Sequence, residues 1–181
     1  MTDTPLADDS SAGAPERTAG EPDLREPAHR VSPRAVSLWR LSAVLGTLPL
    51  VVGALVAYVL VPARPWWATT LLVLLVVAAA AYVAVMPPVR FRVHRWEVTP
   101  TAIHTRAGWI SRETRIAPLS RVQTVDSRQG ALMRLFRLAS LTVTTASAAG
   151  PITVVGLDQD LARRVVAELT EITGRGQDDA T

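Results

Sequence analysis

The stretch "IAPLSRVQTVDSRQGALMRLFRL", Ile116 to Leu138, changes its period halfway along. "RVQTVDSRQ" alternates polar and apolar residues, as a strand does. "GALMRLFRL" then sets arginines on one side and Leu132, Leu135, Phe136 and Leu138 on the other, as a helix does. A strand that passes directly into a short amphipathic helix sits here among further strands, and strands first with a helix last predict an α+β or small-barrel domain. The stretch holds no nucleophile elbow, metal-ligand spacing or phosphate loop.

Working outward, "SLTVTTAS" and "PITVVGL" follow as strands, joined by a turn through Ala148, Ala149 and Gly150. Asp158 then precedes "QDLARRVVAELTEIT", where Leu161, Val165, Leu169 and Ile172 recur at helical spacing. Asp158 suits an N-cap and Gly174 a C-terminal stop. Upstream, "RETRIAP", "TAIHTRAGWI" and "RFRVHRWEVTP" alternate as three more strands, with a bend or bulge expected at Gly108 and a tight turn near Ser111. The expected domain is therefore six strands, an inserted short helix and a closing helix, over residues 89–174. Residues 175–181 are expected to be a disordered tail.

The domain follows two apolar runs. "LSAVLGTLPLVVGALVAYVLV", Leu41 to Val61, and "ATTLLVLLVVAAAAYVAVM", Ala68 to Met86, carry no charge. The first measures about 31 Å as a helix, which matches a bilayer core. Both are apolar all round, unlike the one-sided helices of soluble cores. Residues 35–88 thus read as a two-span membrane hairpin. The connector "PARPWW" contains Trp66 and Trp67, whose indoles favour the headgroup region, and Trp39 is expected to mark the opposite interface. Arg30, Arg34 and Arg40 precede the first span and Arg90, Arg92 and Arg95 follow the second, against Arg64 alone in the connector. By the positive-inside rule this predicts a multi-pass cell-membrane protein with both termini cytoplasmic. Residues 1–34 are rich in Pro, Ala, Gly and acidic residues and are expected to be a disordered tail, without the apolar core of a signal peptide.

The wording of two segments, "RWEVT" with "RAGWISRETRIAPLSRVQTVD", and "RQGALMRLFRLASLTV", resembles the YdbS-like family of bacterial membrane proteins, which carry a pleckstrin-homology (PH) domain of the second bacterial type. The resemblance spans about Leu41 to Gly174. It implies a PH-like fold of two packed antiparallel sheets with a C-terminal helix. The six strands read from periodicity fall one short of the seven that such a fold has. The resemblance brings no defined activity and no mapped binding residues.

Composition narrows the chemistry. The chain of 181 residues has no cysteine, which removes disulfides, thiolate zinc sites and a cysteine nucleophile. All nineteen basic residues are arginine, as a GC-rich coding sequence favours. His94 and His104 lie in neighbouring expected strands and read as solvated residues; two histidines without a third ligand make a poor metal site. No catalytic, cofactor or metal residues are therefore expected, and the protein reads as a non-enzyme. Nucleic-acid binding is not expected either, since stacking aromatics are sparse.

The feature above background is a basic face: Arg112, Arg115, Arg121, Arg128, Arg134 and Arg137. It suits a lipid headgroup, an acidic protein partner, or simple solvation beside an anionic leaflet. Two spans already anchor the chain, so headgroup affinity is not needed for localisation. The expected partners are the bilayer itself and a membrane or cytoplasmic protein, in assembly of a membrane complex. A lipid sensor and an accessory subunit for transport or secretion are the alternatives.

Overall fold

The structure is a computed structural model that describes residues 26–146 and 150–178. Two long helices, α1 (Arg34–Leu60) and α2 (Trp66–Val93), form an antiparallel hairpin. Their most apolar windows have mean hydropathies of 2.3 and 2.5, yet only 6% of each is buried inside the protein. Apolar surface of that extent needs an apolar solvent. The two spans pack against each other, and Tyr58 Oη lies 2.9 Å from Thr69 Oγ1 near the connector. Ser42, Thr47 and Thr70 donate to the carbonyls of Leu38, Ala43 and Trp66, so their hydroxyls are satisfied within their own helices.

Both helices overrun the expected spans. α2 continues through Pro87 and Pro88 to Val93. "RFRV" is therefore helical, and the domain does not begin at residue 89. Proline keeps a helix-compatible φ, and its missing donor and the crowding of its ring on the carbonyl four residues back are tolerated in membrane helices.

A two-residue strand, β1 (His29–Arg30), precedes the hairpin. Beyond α2 the chain forms β2 (Arg95–Val98), β3 (Ala102–Gly108) and β4 (Arg112–Pro118). A single 3-10 turn, Leu119–Arg121, carries it to β5 (Val122–Arg128). Next come α3 (Ala131–Leu135), β6 (Leu138–Thr145), β7 (Ile152–Asp158) and α4 (Gln159–Asp178). The sheets are antiparallel, ordered β1-β2-β3-β4 and β5-β6-β7. The six expected strands are present. Gly150 of the expected β6–β7 turn is described, with Ala148 and Ala149 outside the described residues.

The seventh strand is β1, which crosses back from ahead of the membrane hairpin to pair with Trp96 and Arg95 of β2. The expectation of disorder as far as residue 34 is thus overturned for residues 26–34. Glu26 fixes the segment further by ion pairs to Arg95 and Arg106, and the amide of Ala28 donates to Glu97.

One core joins all these parts. Ile103 and Ala117 of the first sheet meet Leu141, Val143, Ile152 and Val154 of the second, and α4 contributes Ala162, Val165 and Leu169. The same cluster contains Val31, Ala35, Leu38, Trp39 and Met86, from the tail and the membrane helices. Each large aliphatic side chain buried this way contributes about 1.5–3 kcal/mol. Residues 89–174 thus share their core with the tail and the membrane helices. α4 also runs past Gly174 into the expected tail, because an interior glycine costs a helix only about 1 kcal/mol.

Candidate functional site

Where the spans enter the domain, α1 approaches β7 at Gly156. This glycine is the extra residue of a bulge: Ala139 pairs with Leu157 and Ser140 with Val155, leaving Gly156 between them. Its φ of 91° is one that side-chain-bearing residues rarely adopt, and a Cβ there would lie 2.8 Å from the Cβ of Ala35. Beside this contact the Ser32 amide donates to the Gly156 carbonyl at 2.8 Å. The Ser32 hydroxyl donates to Asp158 Oδ1 at 3.0 Å, and Arg34 reaches the same oxygen at 3.4 Å. Asp158 does precede α4, and its carboxylate also ties the tail to the domain.

A turn further into the hairpin lies a second cluster. Trp39 is 4% exposed. Its ring lies 4.6 Å beneath the Arg90 guanidinium carbon and 5.0 Å from the His94 ring. Trp39 is thus at the expected end of the hairpin but packs inward rather than toward lipid. His94 ends α2, is 6% exposed, and is neither solvated nor in a strand. Its Nδ1 lies 2.8 Å from the Arg90 carbonyl and its Nε2 lies 3.5 Å from Arg90 Nε. A neutral ring satisfies both, donating from Nδ1 and accepting at Nε2. Burial pushes His94 below its ordinary value of 6.5; the Arg90 charge acts the same way and the carbonyl bond opposes it. His104 sits in β3 opposite Glu97, so the two histidines do not face each other.

The six arginines separate into three places. Arg112 stands at the start of β4, beside the β3–β4 turn. Arg115 and Arg121 line one cavity of about 320 Å³ with Thr114, Thr145 and Gly150. Arg115 is held there by Glu113 at 2.6 Å and the Pro151 carbonyl at 3.1 Å. Arg128, Arg134 and Arg137 gather around α3, at the opposite end of β5 from Arg121 and roughly 20 Å away along the strand. Asp126 is exposed in β5, opposite Thr142.

The α3 helix is shorter than its spacing predicts. Leu132 and Phe136 pack on the core as expected, and Met133, not among the expected residues, joins them. Leu135 does not: it is 70% exposed. Helix α3 ends at this residue, and Arg137 follows with φ 54°, its carbonyl accepting from the Gln159 amide. The turn leaves Leu135 projecting between two exposed arginines. At the far end of the hairpin, Trp66 is 79% exposed and Trp67 is exposed beside it.

The model of the bacterial PH domain matches residues 40–173, and the chain belongs to that family. It is similar to the UPF0699 transmembrane protein YdbS of Bacillus subtilis (strain 168), 28% identical over 154 residues, covering 82% of this chain and 96% of that protein. No solved structure matches it. The protein is a transmembrane, YdbS-like protein carrying a bacterial PH domain. The family match begins at Arg40, so β1, Ser32 and Ala35 lie ahead of it.

Proposed function

We propose that this protein is a non-enzymatic docking module, fixed at the cytoplasmic face of the cell membrane, that assembles a membrane complex by binding a protein partner. The observation that carries the reading is Leu135, 70% exposed between Arg134 and Arg137. An exposed leucine with exposed arginines beside it in sequence suits a partner with an apolar pocket and an acidic rim, the usual anatomy of a protein interface. Arg137 holds a left-handed conformation that costs of order 1–3 kcal/mol, and such strain clusters at binding sites. The arginines flanking the domain end of the hairpin, against Arg64 alone in the connector, support both termini being cytoplasmic.

A photo-crosslinking amino acid at position 135, activated in native membranes, tests this. A discrete protein adduct that disappears on Arg134→Glu with Arg137→Glu supports docking. Adducts to lipid alone would overturn it. The cavity between Arg115 and Arg121 favours a second reading, an anionic headgroup or phosphate held by two guanidinium groups. That reading predicts unchanged crosslinking at position 135 and loss of anion binding on Arg121→Glu.

A further inference from the structure

The β3–β4 hairpin ends in a three-residue loop, Trp109, Ile110 and Ser111, closed by the pair Gly108–Arg112. The loop is tight. Gly108 has φ 125°, and a Cβ there would meet the Ser111 carbonyl oxygen at 1.8 Å. Its tip is apolar and uncovered: Trp109 is 38% exposed and Ile110 is 81% exposed. The Trp109 ring packs edge-on against Tyr82, with centroids 5.6 Å apart.

Tyr82 sets the depth of this tip. It lies in α2, four residues before Met86, where the expected second span ends, and so about 6 Å inside that end. Arg90, the first charge beyond the run, is eight residues away, or about 12 Å along the helix. A residue packed edge-on against Tyr82 from outside the hairpin therefore stands at the depth of the headgroups and first acyl carbons. Indole rings favour that level. Arg112, exposed at the foot of the loop, stands where a guanidinium meets phosphate oxygens.

We infer that the β3–β4 tip is a third membrane contact: Trp109 and Ile110 insert shallowly into the leaflet on the domain's side, and Arg112 binds lipid phosphates there. Insertion stops at the side chains, because the loop's own amides and carbonyls need partners that the acyl region does not offer. This contact depends on the spans but on neither their orientation nor the docking role of Leu135. With the junction at Ser32–Gly156, the tip fixes the tilt of the domain over the bilayer.

The chain has no cysteine, so single-cysteine probes report without background. Ile110→Cys and Ser111→Cys would each be placed in the full chain, in nanodiscs of equal parts phosphatidylcholine and phosphatidylglycerol. Ser120→Cys, at the far end of β4 and roughly 20 Å from the loop, serves as reference. The expected result is that a water-soluble maleimide labels the Ile110→Cys variant about tenfold more slowly than the reference variant, since an apolar setting suppresses the thiolate. A fluorophore at position 110 or 111 should be quenched by lipid spin-labelled near the head of the acyl chain, and less by lipid labelled at mid-chain. Equal labelling rates without lipid quenching would overturn the inference. Slow labelling without lipid quenching would also overturn it, since a protein surface would then cover the tip.

Discussion

Ala35 of the first membrane helix occupies the space that any side chain at Gly156 would need, with 2.8 Å between its Cβ and the position of the missing one. The contact joins a residue ahead of the first span to the last β-strand before α4. Two requirements coincide at one glycine, the close approach and the positive φ. Gly156→Ala should therefore destabilise the protein by about 1–3 kcal/mol, through backbone strain and displacement of α1. Thermal unfolding in detergent, followed by near-ultraviolet circular dichroism, measures it. An unchanged midpoint would show that α1 yields without cost.

The segment ahead of the spans is predicted to be part of the domain's core. Val31 is buried, and Val31→Asp would place an unpaired charge among Ala35, Trp39 and the β-sheets. A loss of more than about 3 kcal/mol is expected, of the kind that buried unpaired charges cause. Limited proteolysis of the full chain should then cleave within β2–β7, which in the unsubstituted protein stays protected.

His94 gives a pH dependence whose sign is determined. Burial holds the native ring neutral below its ordinary 6.5, so on acidification the unfolded chain takes up a proton that the native one refuses. The stabilising contribution is present above pH 6.5 and is lost as pH falls through and below that value. Stability measured from about pH 8 down to about pH 5 should decline, and His94→Gln should flatten the lower part of the curve. A profile identical in the two proteins would remove His94 from the account.

Leu135 and Phe136 are neighbours with opposite expected phenotypes. Phe136 packs on the core, so Phe136→Ala should cost about 2 kcal/mol. Leu135→Ala should leave the unfolding midpoint unchanged and abolish the position-135 crosslink's protein partner in pull-down. If both variants behave alike, α3 has no separate docking face.

Much of this architecture is legible in the sequence, and the part that is not has a common cause. The alternation of Ile103 and Thr105, the uncharged runs after Leu41 and Ala68, and the stripe Val165–Leu169 are local patterns, repeated over enough residues to declare a period. The strand His29–Arg30 spans two residues inside a Pro-rich, charged segment. Its partner, β2, lies beyond two membrane spans, and no local period records such a pairing. His94 reads as a strand residue because "RFRVHRW" alternates, yet α2 carries its helix through two prolines and ends only there. The arginine face is legible by residue type but not by place, because a list of charges does not show which end of β5 each occupies. Gly156 reads as an ordinary strand glycine until the helix beside it is seen.

The PH domain is held to its membrane hairpin through Val31, Ser32, Ala35 and Gly156, and is not hung from a flexible linker. Electron–electron double resonance between spin labels at Val59→Cys in α1 and Arg163→Cys in α4, in nanodiscs, tests it most directly. Both sites are exposed, and the chain has no other cysteine. One narrow distance distribution is expected, which broadens when Gly156→Val is added. A broad distribution in the chain with Gly156 intact would contradict it.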